Sequence, residues 1–168
     1  LSAIGKTTDE LIETGRVALG GKPDPTKIAR AHLKILQDLN LPQTVIADVL
    51  EEFSGVLQGI SLLHELTPKT MDHLLSFGER FSTRIFSAHL SQEGISAEAI
   101  EGWNAGLVTT SNFNKAELLN ESYERIRTAF SSRKSKVPVV TGFIAKDANG
   151  AITTLGRGGS DLTAAILG

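Results

Sequence analysis

Residues 137–168 read VPVVTGFIAKDANGAITTLGRGGSDLTAAILG, and their order decides the class of fold. The opening run, Val137 to Ala145, is apolar on both strand parities, with Val137 and Val139 on one face and Val140 and Ile144 on the other. A strand that is apolar on both faces is covered on both, which is the habit of a central strand in a parallel sheet. Asn149-Gly150 marks a hairpin turn, and a short strand follows it. Then come Gly156, Gly158 and Gly159 around Arg157, with Ser160 and Asp161 at the head of an apolar helical run. Amides at a helix start lack partners within the helix and attract carboxylate or phosphate oxygens, and glycines let such a ligand approach. Arg157 adds a planar fork that grips a carboxylate with two parallel hydrogen bonds, a geometry lysine cannot reproduce. The same residues also read as a plain glycine turn in which Ser160 or Asp161 caps the helix and Arg157 is solvated.

Upstream of this stretch the periodicity changes twice. Residues 8–93 carry a helical pattern. Thr8 or Asp9 is the candidate cap of the first helix, and Gly20, Gly21, Pro23 and Pro25 interrupt the pattern before Ile28, Leu36 and Leu39 resume it. Ile46, Val49, Phe53, Val56, Ile60 and Leu63 then recur every three or four residues as one buried stripe. Thr67 caps a last long helix with Pro68 just inside, and Leu74, Phe81, Ile85 and Ala88 form its inner row. From Ile95 the pattern is one of strands and turns, AEAIEGWNAG and LVTTS, with a helix over about 114–130. LSAIG, at residues 1–5, reads as the end of a buried strand entering a glycine turn, and the final apolar run stops after about two turns. Both ends therefore read as those of a fragment.

Composition narrows the function classes. The chain has 168 residues, enough for one domain or a large piece of a bigger one. Seventeen basic and nineteen acidic residues are interspersed for a net charge of −2, so no basic footprint points to nucleic acid or an anionic membrane. There is no cysteine, which removes disulfide and thiol chemistry and accords with an intracellular setting. No apolar run is long enough to span a bilayer.

Two further stretches carry candidate chemistry. In SFGERFSTRIF, Glu79, Ser82 and Phe86 fall at i, i+3 and i+7, on one helix face beside the small Gly78. An acid and a hydroxyl there can hold an ammonium group and a second polar atom; the plainer reading is an exposed helix with Glu79 paired to a nearby arginine. In SAIGKTTDEL, Gly5-Lys6-Thr7 matches the end of the phosphate-cradling pattern G-x-x-x-x-G-K-S/T. His32, His64, His73 and His89 are scattered without paired metal-ligand spacing, and no metal ligand is assigned.

Taken together and in order, LSAIGKTTDEL, LLHELTPKTMDHLLSFGERFSTRIFSAHL and VPVVTGFIAKDANGAITTLGRGGSDLTAA resemble the catalytic domain of the aspartate kinases, most of all the lysine-sensitive plant and algal type. The likeness runs through essentially all 168 residues, and the pairing of G-F-I…T-T-L-G-R-G-G-S-D with G-E-R-x-S is highly specific. It implies an α/β fold, a three-layer αβα sandwich on a largely parallel sheet (the amino-acid kinase fold), here incomplete and with a large helical portion. It implies transfer of the γ-phosphoryl group of ATP, with Mg2+, to the side-chain carboxylate of L-aspartate, the first step toward lysine, threonine and methionine. Thr8, Glu79, Phe143, Arg157, Gly158 and Ser160 fall at the family's aspartate-binding positions, and Asp161, with Arg157, at its catalytic ones.

Departures accompany the likeness. The family's opening K-F-G-G-T strand, its ATP-binding half and its regulatory domains have no counterpart in these residues, and VTTSN stands where an acidic pair follows the threonines. The expectation is a substrate-binding half, inactive alone, from a homo-oligomeric enzyme of the plastid, or of the cytoplasm if the source is not plant or algal. Two alternatives stay open at this stage: a P-loop phosphotransferase using Lys6 and Thr7, and a non-catalytic helical interaction module.

Overall fold

In the computed structural model, which describes residues 1–131 and 136–168, four helices precede an α/β portion. They are α1 (Thr7–Leu19), α2 (Thr26–Asp38), α3 (Ala47–Leu63) and α4 (Pro68–Gln92), with a 3-10 turn at Gln43–Val45. The helix α1 starts at Thr7, ahead of the expected caps Thr8 and Asp9, with Lys6 in the cap position and no side-chain cap; Thr7 instead donates its hydroxyl to the Ile4 carbonyl at 2.7 Å. Asp9 and Glu10 in its first turn offset the unpaired amides electrostatically. The helix α4 starts as read: the Thr67 hydroxyl accepts the Thr70 amide, and Pro68 fills the first position, where no N–H is needed.

These helices share one core. Leu11 and Ala18 of α1, Ile28 and Leu36 of α2, Val49, Phe53 and Ile60 of α3, and Leu74 and Phe81 of α4 are all buried. Phe53 meets Phe77 edge-on at 5.3 Å between ring centres, a contact worth about 0.5–1.5 kcal/mol beyond its buried area. One expected stripe is corrected. Leu63 lies 71 % exposed, and Leu57 takes the inward position instead, because 46, 49, 53, 57 and 60 follow the 3.6-residue turn more closely than a row ending at 63.

The second portion contains β1 (Ala97–Ile100), β2 (Val108–Thr109), α5 (Glu121–Ser131), β3 (Val137–Val140), β4 (Ile144–Asp147), β5 (Ile152–Thr154) and α6 (Gly159–Leu167). β1 pairs with β3 in parallel, β2 with β4 in parallel, and β4 with β5 as the expected hairpin. The helix α4 packs against β1, β3 and β5 on one side and against α1 and α3 on the other. An α/β fold is therefore what the chain forms, with a large helical portion and its strands in two small sheets, one parallel and one mixed.

Two sequence expectations are corrected here. The run 137–145 is two strands, not one, because the backbone breaks at 141–143 and Phe143 takes a left-handed conformation with φ 63°. The central, fully covered strand is β4, with Ile144 and Ala145 inaccessible, whereas β3 opens at an exposed edge where Pro138 has no amide to offer. Leu1 bridges the break, its nitrogen donating to the Val140 carbonyl and its carbonyl accepting from Gly142, the pattern of one parallel pair. The helix expected over 114–130 begins only at Glu121. Its first residues pair with strands instead: Thr110 donates to Glu117, Leu119 to Val108, and Ala116 to Thr154.

Candidate functional site

The middle of α4, the start of α1, the break before β4 and the glycine loop enclose a cleft of about 690 Å³. Thr8, Glu79, Phe143 and Arg157 line it, and so do Gly158, Ser160 and Asp161. The structure thus brings all seven of the residues singled out above to one cavity, although Glu79 and Arg157 are far apart in the chain. Lys6 and Thr7 are not among its lining residues, and Thr7 has turned its hydroxyl inward onto Ile4.

The loop is built by close packing. Gly158, left-handed at φ 75°, is the N-cap of α6, and no side chain caps that helix, so the reading of Ser160 or Asp161 as a mere cap does not hold. Gly142 is needed for contact: a Cβ there would stand 2.9 Å from the Ser160 Cα, and such an overlap forces one backbone off the other. The Phe143 amide donates to the Thr163 hydroxyl at 3.2 Å, and the Phe143 carbonyl accepts from Leu155 at 2.9 Å. These bonds hold the left-handed turn between α6 and the segment that leaves β5. Arg157 is exposed, with no hydrogen bond or ion pair to another described residue.

Glu79 faces this loop from α4. It is 2 % exposed; its Oε1 accepts the Ala3 amide at 3.2 Å, while its Oε2 has no partner. Loss of hydration pushes its carboxyl up to about 7, opposed by the Ala3 amide. Neither Ser82 nor Phe86 joins it at the cleft. Ser82 donates its hydroxyl to the Glu79 carbonyl at 3.0 Å, and Phe86 is 44 % exposed. Gly78 does admit a close approach, but of the chain itself, since a Cβ there would stand 2.9 Å from the Ala3 side chain. Nor is Glu79 paired with its neighbour Arg80, whose guanidinium binds Glu52 at 2.6 Å and Glu101 at 3.0 Å. Arg80, helped by His73, draws the Glu52 carboxyl down to about 2.

Sequence reasoning missed Ser2, Asp9, Asn114 and Thr154, which also line the cleft, and Asp72, which lies fully buried beneath it. Asp72 carries no local signal in the sequence, because α4 buries several other polar residues, Ser76, Arg80 and Thr83 among them. Among the described residues no group of three or more histidines or acids could by itself hold a metal ion, and no helix is long and apolar enough to cross a membrane.

Comparison with known proteins adds ancestry to this geometry. A profile of the amino acid kinase family matches residues 1–168. Aspartokinase 1, chloroplastic, of Arabidopsis thaliana is 39 % identical over 100 % of this chain, and Aspartokinase 2, chloroplastic, of the same plant is 40 % identical over the same share. The chain spans only 32 % and 33 % of those two proteins. The crystal structure of E. coli aspartokinase III in complex with aspartate and ADP superposes with a TM-score of 0.81 at 26 % identity, over 99 % of this chain and 38 % of that one.

Proposed function

Because the chain belongs to the amino acid kinase family, we propose that it is the substrate-binding half of an aspartate kinase, an enzyme that transfers the γ-phosphoryl group of ATP to the side-chain carboxylate of L-aspartate. The observation that carries this reading is Glu79: a buried carboxylate with one oxygen unpartnered among the described residues, in the same cleft as an arginine that pairs with none of them. A cation suits the first when it is ionised, and an anion suits the second. An α-amino acid brings both, its ammonium to Glu79 and its α-carboxylate to the Arg157 fork. The side-chain carboxylate then remains free to accept a phosphoryl group. Resemblance to aspartokinases supports aspartate over other amino acids.

The division of labour follows from the residues. Phosphoryl transfer asks mainly for positioning and charge neutralisation, and no covalent protein nucleophile is needed. Thr8, Ser160 and the amides at the start of α6 supply polar contacts that orient the substrate. A magnesium nucleotide supplies the phosphoryl group when bound. Mg2+ commonly keeps one or two carboxylates and binds substrate phosphates for the rest, and Asp161 and Asp9 are the cleft carboxylates, besides Glu79, available for that part. The remainder of the nucleotide site is assigned to the portion of the enzyme beyond these residues. The chloroplast placement named for the Arabidopsis relatives supports a plastid.

The test is a phosphoryl-transfer assay on the gene product at its natural length, with aspartate, glutamate and N-acetylglutamate in parallel. Transfer to aspartate alone is expected. A preference for N-acetylglutamate would overturn the reading, because that substrate has no ammonium for Glu79.

A further inference from the structure

The fully buried Asp72 belongs to no part of the chemistry above, yet its carboxylate gathers four hydrogen bonds from two other segments. The Asn114 amide reaches Oδ2 at 2.9 Å and Oδ1 at 3.1 Å. The Thr154 amide reaches Oδ2 at 3.0 Å, and the Thr154 hydroxyl donates to Oδ1 at 2.8 Å. Both donors belong to residues that line the cleft. Asn114 is left-handed at φ 68°, a turn conformation that asparagine adopts more readily than most L-residues, and the bond to Asp72 fixes where that turn sits. Thr154 ends β5, three residues before Arg157.

From this geometry we infer that Asp72 is a positioning residue: it clamps the 110–116 loop and the root of the glycine loop onto α4, and so sets where Arg157 stands relative to Glu79. The inference rests on the aspartate-binding reading for its substrate, but not for the clamp itself. Asp72 and Glu79 are seven residues apart on one continuous helix, which separates them by about 10 Å along its axis. Thr154 hangs the glycine loop from one end of that interval, and Glu79 offers its free oxygen at the other. If the clamp loosens, each side chain survives but the distance between them is no longer defined.

Wild type, Asp72→Asn and Glu79→Gln are compared in the full-length gene product. In Asp72→Asn one oxygen becomes a donor facing N–H groups, so amide exchange at Asn114 and Thr154 is expected to accelerate about tenfold or more, as loss of a charge-assisted bond implies, and to stay unchanged in Glu79→Gln. The KM for aspartate should rise about tenfold while that for ATP moves by less than about twofold. Unchanged exchange at both amides overturns the clamp. Accelerated exchange with both KM values unaltered, or altered equally, overturns the positioning role and leaves a structural one. A wild type that ignores aspartate but shows accelerated exchange in Asp72→Asn refutes the substrate reading and upholds the clamp. Should Asp72→Asn fail to fold, Thr154→Val removes only the hydroxyl bond, and an aspartate KM raised about threefold at constant ATP KM is expected; no change there overturns the inference.

Discussion

If Glu79 receives the substrate ammonium as proposed, its raised carboxyl turns binding into a proton-coupled event. Below about pH 7 the empty cleft holds Glu79 protonated, and an ammonium group requires it ionised, so binding must release that proton. Aspartate affinity should therefore rise about tenfold per pH unit up to that point and level off above it. Calorimetry across pH 5.5–8.5 reads the slope, and Glu79→Gln should abolish it. The sign for stability is opposite. A carboxyl raised from 4.5 to about 7 on folding binds an extra proton in the native state, so the ligand-free protein loses stability as pH rises through that window, on the order of 3 kcal/mol in all. Arg157→Lys probes the other end of the substrate. It keeps the charge but loses the fork, which should cost about 1.5–3 kcal/mol and lower kcat/KM for aspartate about ten- to a hundredfold with ATP use little changed. Unaltered aspartate kinetics in a folded mutant would remove Arg157 from the site. Both residues could be singled out only from three motifs taken in order, since the glycine turn and the acid beside Gly78 each also read as ordinary surface structure. Asp72 could not, since an aspartate gives no local sign of the amides that another segment brings to it.

At the scale of elements, helices with one-sided apolar spacing were legible almost to the residue, as at Thr67 and Pro68, where both chemistry and position are local. The break between β3 and β4 was not. Val137 to Ala145 shows uninterrupted strand character, and what divides it is the left-handed Phe143, held by Thr163 and Leu155 from elsewhere. The loop 114–120 was misread for a related reason: its backbone donors find strand partners across the fold, which outcompete a helix the segment could otherwise begin. The packing of Gly142 on Ser160 makes the break a testable joint. Gly142→Ala places a carbon where the α6 backbone stands, and an overlap of that kind costs about 1–3 kcal/mol. Denaturant titration should show a lowered midpoint with unchanged slope; an unaltered midpoint would mean that α6 moves freely against the strand.

For the whole molecule, the fold class was readable from the order of signals, a helical half followed by strand, hairpin, glycine loop and helix, whereas the partition of strands into two small sheets depends on pairings that no single segment encodes. On the proposed reading the cleft receives an amino acid and supplies only part of what a nucleotide needs. Stabilising a transferring phosphoryl group takes several converging charges, and the described cleft offers one arginine against three acids, Asp9, Glu79 and Asp161. These 168 residues in isolation should therefore show no phosphoryl transfer in a coupled ATP assay; measurable turnover would place the nucleotide within them. The two-turn interval on α4 carries a last consequence, for how such a site can evolve or be redesigned. A helix is a ruler with discrete marks. Each inserted residue adds about 1.5 Å but also turns everything beyond it by about 100°, so an insertion between Asp72 and Glu79 swings the acid away before it lengthens the gap. Accommodating a longer amino acid on this scaffold must come from exchanging side chains at fixed positions, because intermediate spacings do not exist.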